Sequence, residues 1–544
     1  MKKITVFLLL INFLIPTTTQ SETSEAELLY DPSENIEILD IHNFHTKIEN
    51  SQTPWLVKFY LGWCGTCQKL STEWKKFRNE ITPWTDLVKV GAISCSDPAN
   101  TPVCLNSNIS AYPTIKYFPE NYKSGDDSTV ILKGEHLDVK ALKKRVIGQI
   151  RTEISEKRGQ MYPKLSTYEH PNLEKMFEGL GESVKYVVLV VEAPDQCFAT
   201  EIALNLHKNR NVSVKFAPNT NTDLVNNLQV STFPSVVVLD RNNNVSKRFT
   251  DPEGVAIESF LLSYGLEVNR IEPNTTKKIV PKKLLRLNQR VKKMGDVVFQ
   301  VDLEAALRYS LKQEVSAVRV ITNERLDALR AYLTVVKKYF PFGENNELIT
   351  QLVKLTSSSE QVQGVEIFQL VQKAETNRAF SSVQTYLGCL GSVSGKRRYP
   401  CSLWQLFHYL TVNSDDETNP REVLTAMHGY IRHFFGCGGC SRHFQQMAIE
   451  RNLSGVSSLK EAVLWLWEAH NVVNQRLKGD VTEDPEFLKD KFPAKLRCVE
   501  CYEEDGTWRR NEVFEYLKKM YGKFNVRYVG SDTRVLFPDL DNMF

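Results

Sequence analysis

Eleven cysteines, falling into five close pairs and one left over, constrain this 544-residue chain more than any other feature of it. The pairs are Cys64/Cys67, Cys95/Cys104, Cys389/Cys401, Cys437/Cys440 and Cys498/Cys501, with Cys197 alone. Three of the five have Cys-x-x-Cys spacing, a small ring suited to thiol exchange rather than to stapling distant segments. Cys95 and Cys104 flank a polar loop and read as a structural staple, and Cys197 reads as a free, buried thiol.

The N-terminus names the compartment such cysteines expect. Met1-Lys2-Lys3, an apolar run from Ile4 to Ile15, then Pro16 and the small polar residues Thr17 to Ser21 form the three-part pattern of a signal peptide over residues 1–21. The run falls short of the ~20 residues a membrane span needs, and no later segment is long and apolar enough. The expectation is a chain of the secretory lumen, Golgi or endoplasmic reticulum, that is also secreted, with no stable membrane anchor in its mature form. Sequons at Asn108, Asn211, Asn244, Asn274 and Asn452 agree with a glycoprotein. With a net charge of only +3, nothing in the charge balance suggests nucleic acid, and none is expected as a partner.

At roughly 150 residues per domain, the length asks for three or four domains. The predicted fold class is multidomain α/β plus α. Residues 30–155 alternate β-rich runs (Trp55–Tyr60, Val88–Ile93, Thr114–Phe118) with helical stretches, one of them opening at Cys64. Residues 160–270 repeat the pattern without a Cys-x-x-Cys: Tyr186–Val191 and Ser235–Leu239 read as strands and Thr200–Asn209 as a helix. Pro113 and Pro234 each stand just ahead of a strand, which points to duplication. Residues 271–380 open with a basic, Pro-containing linker up to Met294 and continue as a helical spacer without a chemical motif. Residues 385–525 are helical and rich in aromatics, His and Cys, and 526–544 form a tail.

Trp63-Cys64-Gly65-Thr66-Cys67 follows a buried-looking strand and opens a helix. There free N–H groups and the helix dipole favour a thiolate, so Cys64, the more exposed partner, would exchange with substrate sulfur and Cys67 would resolve the mixed disulfide. Pro113, if cis, would present backbone to an extended substrate. This set resembles the thioredoxin and protein disulfide isomerase family. Two residues depart from that family: Thr66 stands where lumenal isomerases usually carry His, and Lys58 stands where a buried acid serves the inner cysteine.

The second constellation spans three helical stretches. Trp404 and His408 sit at i and i+4; a helix carrying Phe434 to Phe444 holds Cys437, Cys440 and His443; and Trp467, His470, Asn471 and Asn474 form one stripe. A stripe of flat, hydrogen-bonding side chains can hold a planar heterocycle between helices. Together these motifs resemble the Erv-type FAD-dependent sulfhydryl oxidase module, and with the two upstream units the chain is similar to the quiescin sulfhydryl oxidases from about Leu28 to Tyr521.

The resemblance implies a flavin-dependent thiol oxidase. It would introduce disulfides into reduced or unfolded secretory proteins, passing electrons through Cys64/Cys67, Cys437/Cys440 and FAD to dioxygen and yielding hydrogen peroxide. It implies FAD contacts from Arg397, Trp404, His408, His443, Trp467, His470, Asn471, Asn474 and Lys489, a staple at Cys389/Cys401 and an accessory disulfide at Cys498/Cys501. No metal is expected. A flavin-free isomerase is one rival reading. A zinc site at Cys437, Cys440, Cys498 and Cys501 is another, but the 57 residues between these pairs miss the usual spacing of about 15 to 20.

Overall fold

The computed structural model describes residues 28–527 except 127, 133–136, 157, 160, 251–288, 290, 293, 342–346, 378–379 and 381–385. The expected signal peptide, Asn274, most of the basic linker and the tail beyond Arg527 lie outside the described residues.

Trp55–Tyr60 is an apolar run broken only by Lys58, and all six of its residues are buried, as a strand covered on both faces requires. It lies at the centre of a five-stranded sheet in the order Glu37–Leu39, Lys89–Ser94, Trp55–Tyr60, Thr114–Phe118, Val130–Ile131. The first two pairings are parallel and the last two antiparallel. The helices Gly65–Glu80 and Val139–Ser155 pack on it.

The second unit repeats this arrangement. Its order is Ser166–Thr167, Val212–Pro218, Tyr186–Glu192, Ser235–Asp240, Val245–Thr250, with the same sequence of two parallel and two antiparallel pairings. Alternate residues go to opposite faces: Val188, Val190, Val236 and Val238 build one core, and Val187, Leu189, Val191, Val237 and Leu239 the other. Both Tyr112–Pro113 and Phe233–Pro234 are cis, as is Phe492–Pro493, which the sequence did not flag. The two units meet where Trp84 Nε1 donates to Asn205 (2.7 Å) and Lys143 bridges Glu80 (2.8 Å) and Glu201 (2.7 Å).

Beyond residue 296 the described residues are mainly helical, with two short two-stranded pairings. Helices on both sides of residue 380, including Gln300–Tyr309, Asn323–Tyr339, Arg398–Val412 and Glu422–His433, share one core, where the rings of Tyr332 and Tyr430 pack tilted with centroids 4.8 Å apart. That core also runs without a break into the first thioredoxin-like unit. Asp302 is buried and accepts the backbone N–H groups of Leu387 (2.8 Å) and Cys389 (3.2 Å), tying the spacer to the Cys389–Cys401 staple. Val298–Phe299 pairs with Val526–Arg527, so the expected tail begins inside the fold.

Candidate active site: two dithiols and a cationic pocket

Gly65–Glu80 starts where Cys64 serves as its N-cap, and Gly438–Glu450 starts where Cys437 does. Each leading cysteine therefore sits at the positive end of a helix. For Cys437 this corrects the expectation of one helix through Phe434 to Phe444. The preceding helix stops at His433, and Phe434–Gly436 is a non-helical turn that ends on the other unit. Tyr112 N donates to Gly436 O (2.9 Å) and Gly438 N to Tyr112 O (3.3 Å), forming a parallel bridge between Tyr112 and Cys437. The backbone beside Pro113 is therefore occupied by a segment of the chain itself, through an isolated bridge.

The consequence is a cluster of sulfurs. Cys64 Sγ lies 2.7 Å from Cys437 Sγ, Cys437 is disulfide-bonded to Cys440, and the Sγ atoms of all three lie within 4.8 Å of one another. Cys64 and Cys67 are free thiols. Cys64 is fully buried, contrary to the expectation that it is the exposed partner, because the Cys437 segment covers it. Cys95–Cys104, Cys389–Cys401 and Cys498–Cys501 are closed disulfides, and Cys197 is free but only partly buried, at the N-cap of Phe198–Leu206.

Around the sulfurs the two bodies are keyed together. Trp63 Nε1 donates to Tyr309 (2.7 Å), and its rings pack on Tyr399 and Phe435. Gln68 donates to Gly395 O (2.9 Å) and accepts from Lys396 (2.8 Å), while Lys69 pairs with Asp480 (3.2 Å). Three glycines permit the approach: a Cβ at Gly439 would lie 2.5 Å from Thr66 Cγ2, one at Gly436 3.0 Å from Leu61, and one at Gly65 2.9 Å from Thr482.

Burial pushes the Cys64 thiol up, but hydrogen bonds from Cys67 and Thr66 outweigh it and hold the thiol below its ordinary range. Thr66 Oγ1 stands 3.1 Å from Cys64 Sγ, within reach to donate to the thiolate. Cys67 moves the other way: burial, then the Cys64 hydrogen bond and charge, raise it well above the ordinary value. Replacing Thr66 by Val removes the hydroxyl and moves the alkylation profile of Cys64 to higher pH. An unmoved profile, read by mass spectrometry, would show that Thr66 does not tune this thiol.

The spacer, read as motif-free, contributes to this junction. Its Gln300–Tyr309 helix ends in a π-helical turn, Ser310–Val315, of the kind often found at functional sites. Gln313 from that turn accepts from Thr101 (2.8 Å), and Glu314, fully buried, accepts the Gly436 N–H. Burial pushes the Glu314 carboxyl up to about 8, and the Cys64 charge adds to it. A signal was available: Glu314 continues the apolar stripe of Leu303, Leu307 and Leu311, where an acid needs a reason.

The aromatic stripe falls into three groups. Trp404 and His470 stack with centroids 4.3 Å apart and planes 1° from parallel, and His470 Nδ1 meets His408 Nε2 at 3.1 Å. Burial keeps both histidines neutral: His470 is lowered to about 4, and His408, buried with His470 beside it, is held well below its ordinary value. Trp467 Nε1 and Asn471 Nδ2 both donate to Phe492 O, and Asn471 Oδ1 accepts from Phe492 N (2.8 Å). Asn471, Asn474 and Lys489 line a cavity of about 380 Å³, which Lys478, Lys491 and Lys495 also border. Lys489 donates to Thr482 (3.0 Å). Arg397 lies apart from these, over the Phe487 ring (3.9 Å) with its buried Nε unpartnered. His443 stands near Arg442, Arg476 and Lys69; partial burial and these cations lower its pKa. Stacked flat rings, an orphaned guanidinium N–H and a lysine-rimmed cavity fit a group that is planar at one end and anionic at the other, as FAD is.

Residues 35–139 match the thioredoxin family, 161–265 the QSOX Trx-like domain, 296–392 the FAD-dependent sulfhydryl oxidase family and 401–493 the Erv1 / Alr family. Sulfhydryl oxidase 1 of Mus musculus is 31% identical over 97% of this chain and 72% of its own length. Sulfhydryl oxidase 2 of Homo sapiens is 28% identical over 92% of this chain and 74% of its own. Among solved structures, the sulfhydryl oxidase fragment of human QSOX1 is 33% identical over 43% of this chain and 99% of the fragment, with a TM-score of 0.41. With both thioredoxin-like units, the flavin-binding helices and near-complete coverage in one chain, this protein belongs to the quiescin sulfhydryl oxidases, flavin-dependent enzymes that introduce disulfides into thiol substrates and pass the electrons to dioxygen.

Proposed function

We propose that Cys64/Cys67 collects electrons from the thiols of reduced or unfolded secretory proteins and that Cys437/Cys440 receives them. The carrying observation is the approach of Cys64, Cys437 and Cys440 to within 4.8 Å of one another. A substrate thiolate attacks Cys64 in the Cys64–Cys67 disulfide, and Cys67 leaves. A second substrate thiolate then displaces Cys64 and closes the substrate disulfide. The Cys64 thiolate attacks Cys437, Cys440 leaves, and Cys67 attacks Cys64 to release Cys437. Bound FAD would supply the two-electron acceptor for the Cys437/Cys440 dithiol, with dioxygen as the final acceptor and hydrogen peroxide as the product. Because Cys64 is buried against Cys437, a protein substrate reaches it only after the first unit parts from the helical body.

In this reading residues 30–155 and 160–270 are separate thioredoxin-like domains, the second a scaffold, and the helices of 271–380 and 385–525 together carry the flavin. Trp404, His408 and His470 hold the ring; Asn471, Asn474 and Lys489 hold the remainder, with Arg397, His443 and Trp467 completing the site. The protein works in the secretory lumen and outside the cell; among the described residues no helix is long and apolar enough to cross a membrane.

His470→Ala tests the placement. Removing one ring of the Trp404 stack lowers flavin retention, so the variant loses its visible absorbance during dialysis while the parent keeps it. Full flavin occupancy in the variant would move the site elsewhere.

A further inference from the structure

Lys58 is buried in the central strand, and no carboxylate pairs with it among the described residues. Its Nζ has two hydrogen-bond partners: the Cys67 carbonyl oxygen at 3.1 Å and the Tyr30 hydroxyl at 2.6 Å. Tyr30, itself fully buried, lies ahead of the first strand and closes the cavity over the amine, with its ring 5.2 Å from Nζ and edge-on to Tyr60. Two further charged groups stand beside Tyr30 among the described residues: Lys75 on the Gly65–Glu80 helix, 5.6 Å from its ring, and Glu34, paired with Lys75 (2.6 Å).

A lysine in such a place is costly as a permanent cation and useless as an ion-pair partner. Its value is that it can change state. Burial, opposed by the charges of Cys67 and then Cys64 and reinforced by Lys75, lowers it to about 7. The amine is therefore poised to lose its proton when the nearby sulfurs are neutral and to hold it when one is a thiolate. Cys67, held as a thiol by its surroundings, is the group that must lose a proton before it can resolve a mixed disulfide.

We propose that Lys58, steadied by Tyr30, is the proton acceptor of Cys67: the neutral amine takes the Cys67 thiol proton as Cys67 attacks Cys64. This rests on the relay proposed above. When Cys67 attacks Cys64 of the Cys64–Cys437 mixed disulfide, the Cys67 proton goes to Lys58, the Cys64–Cys67 bond forms, the Cys64–Cys437 bond breaks and Cys437 leaves as the thiolate. The closed Cys64–Cys67 disulfide leaves no thiolate beside the ammonium, which then sheds its proton to solvent as the junction parts, and the Cys67 thiolate released by the next substrate takes its proton from solvent through the same opening.

The test follows the Cys64–Cys437 mixed disulfide in full-length, FAD-loaded enzyme mixed with a reduced, unfolded protein, quenched with an alkylating agent and mapped by mass spectrometry. In the parent, decay of the mixed disulfide levels off above about pH 7, where the amine is already neutral. In Lys58→Met it is about 100-fold slower at neutral pH and climbs steadily between about pH 6.5 and about pH 8.5, because hydroxide and water must then take the proton. Lys58→Arg keeps the charge but cannot accept a proton, and it behaves like the Met variant. Should both disturb the fold, Tyr30→Phe leaves the amine and removes an acceptor of the ammonium's hydrogen bond, moving the plateau to lower pH. Parental decay in Lys58→Met, parental behaviour in Lys58→Arg, or an unmoved plateau in Tyr30→Phe overturns the proposal and leaves the relay standing. Absence of the mixed disulfide from every protein, parent included, overturns the relay and this role with it.

Discussion

Exchanging Cys67 and Cys440 together for serine leaves a protein that, on mild oxidation with glutathione disulfide, converts almost wholly to a form with a Cys64–Cys437 bond. The two sulfurs stand 2.7 Å apart, closer than the roughly 3 to 3.5 Å of a near-attack pair, on backbones already joined by the Tyr112–Cys437 bridge. Glutathione first caps one thiol. The other then displaces it, because its effective concentration across the docked junction exceeds that of any free thiol. Each single serine variant still has a resolving thiol and dissolves the bond. Peptide mapping under non-reducing conditions reads the result, and glutathione adducts on both cysteines without a crosslink would mean the docked geometry is not the exchanging one.

Gly439→Leu separates the two halves of the enzyme without touching a sulfur. A Cβ there would lie 2.5 Å from Thr66 Cγ2, and Thr66 is β-branched with little freedom to turn aside. The remaining carbons of leucine deepen the clash, so Cys64 cannot settle against Cys437. A misplacement of about 1 Å already costs about 100-fold in such a transfer, and oxidation of a reduced protein falls by at least that much. A small dithiol, which reaches Cys437 without the first unit, is oxidised within a few-fold of the parent rate. Equal losses on both substrates would show that the substitution damages the Cys437/Cys440 turn itself, and equal retention that the clash is avoided.

These two substitutions act at a junction of which the sequence displayed only the halves. Trp63 to Cys67 and its strand were legible because the motif is local: an apolar run buried on both faces, then two cysteines one helical turn apart at a helix start. The duplication was legible through Pro113 and Pro234, each set before a strand, and the pairing pattern of the second sheet repeats the first. The Trp404/His408 pair and the His470/Asn474 pair were each legible because helical periodicity sets residues four apart on one face, whereas the stacking of Trp404 on His470 from another helix was not.

The misreadings have one cause. Phe434, Phe435 and Gly436 continue a helical pattern, and what unwinds them is the hydrogen bonding of Gly436 and Gly438 to Tyr112. Cys64 looked exposed because nothing near it in sequence covers it. The spacer looked inert because Glu314 acquires its meaning from Gly436, and Lys58 looked like a missing acid until Tyr30 and the Cys67 carbonyl appeared around it.

By itself, then, the sequence determined the two dithiols, their helix N-termini, the repeated α/β unit and the ring-bearing helix face, since each depends on residues within a few turns of one another. Tertiary structure alone decided that Cys64 meets Cys437 across 373 residues, that a π-helical turn brings Glu314 to their junction, and that Lys58 is shut away with Tyr30. Those features depend on which surfaces pack. Packing sets desolvation, and desolvation decides whether a cysteine, a carboxyl or an amine holds its proton.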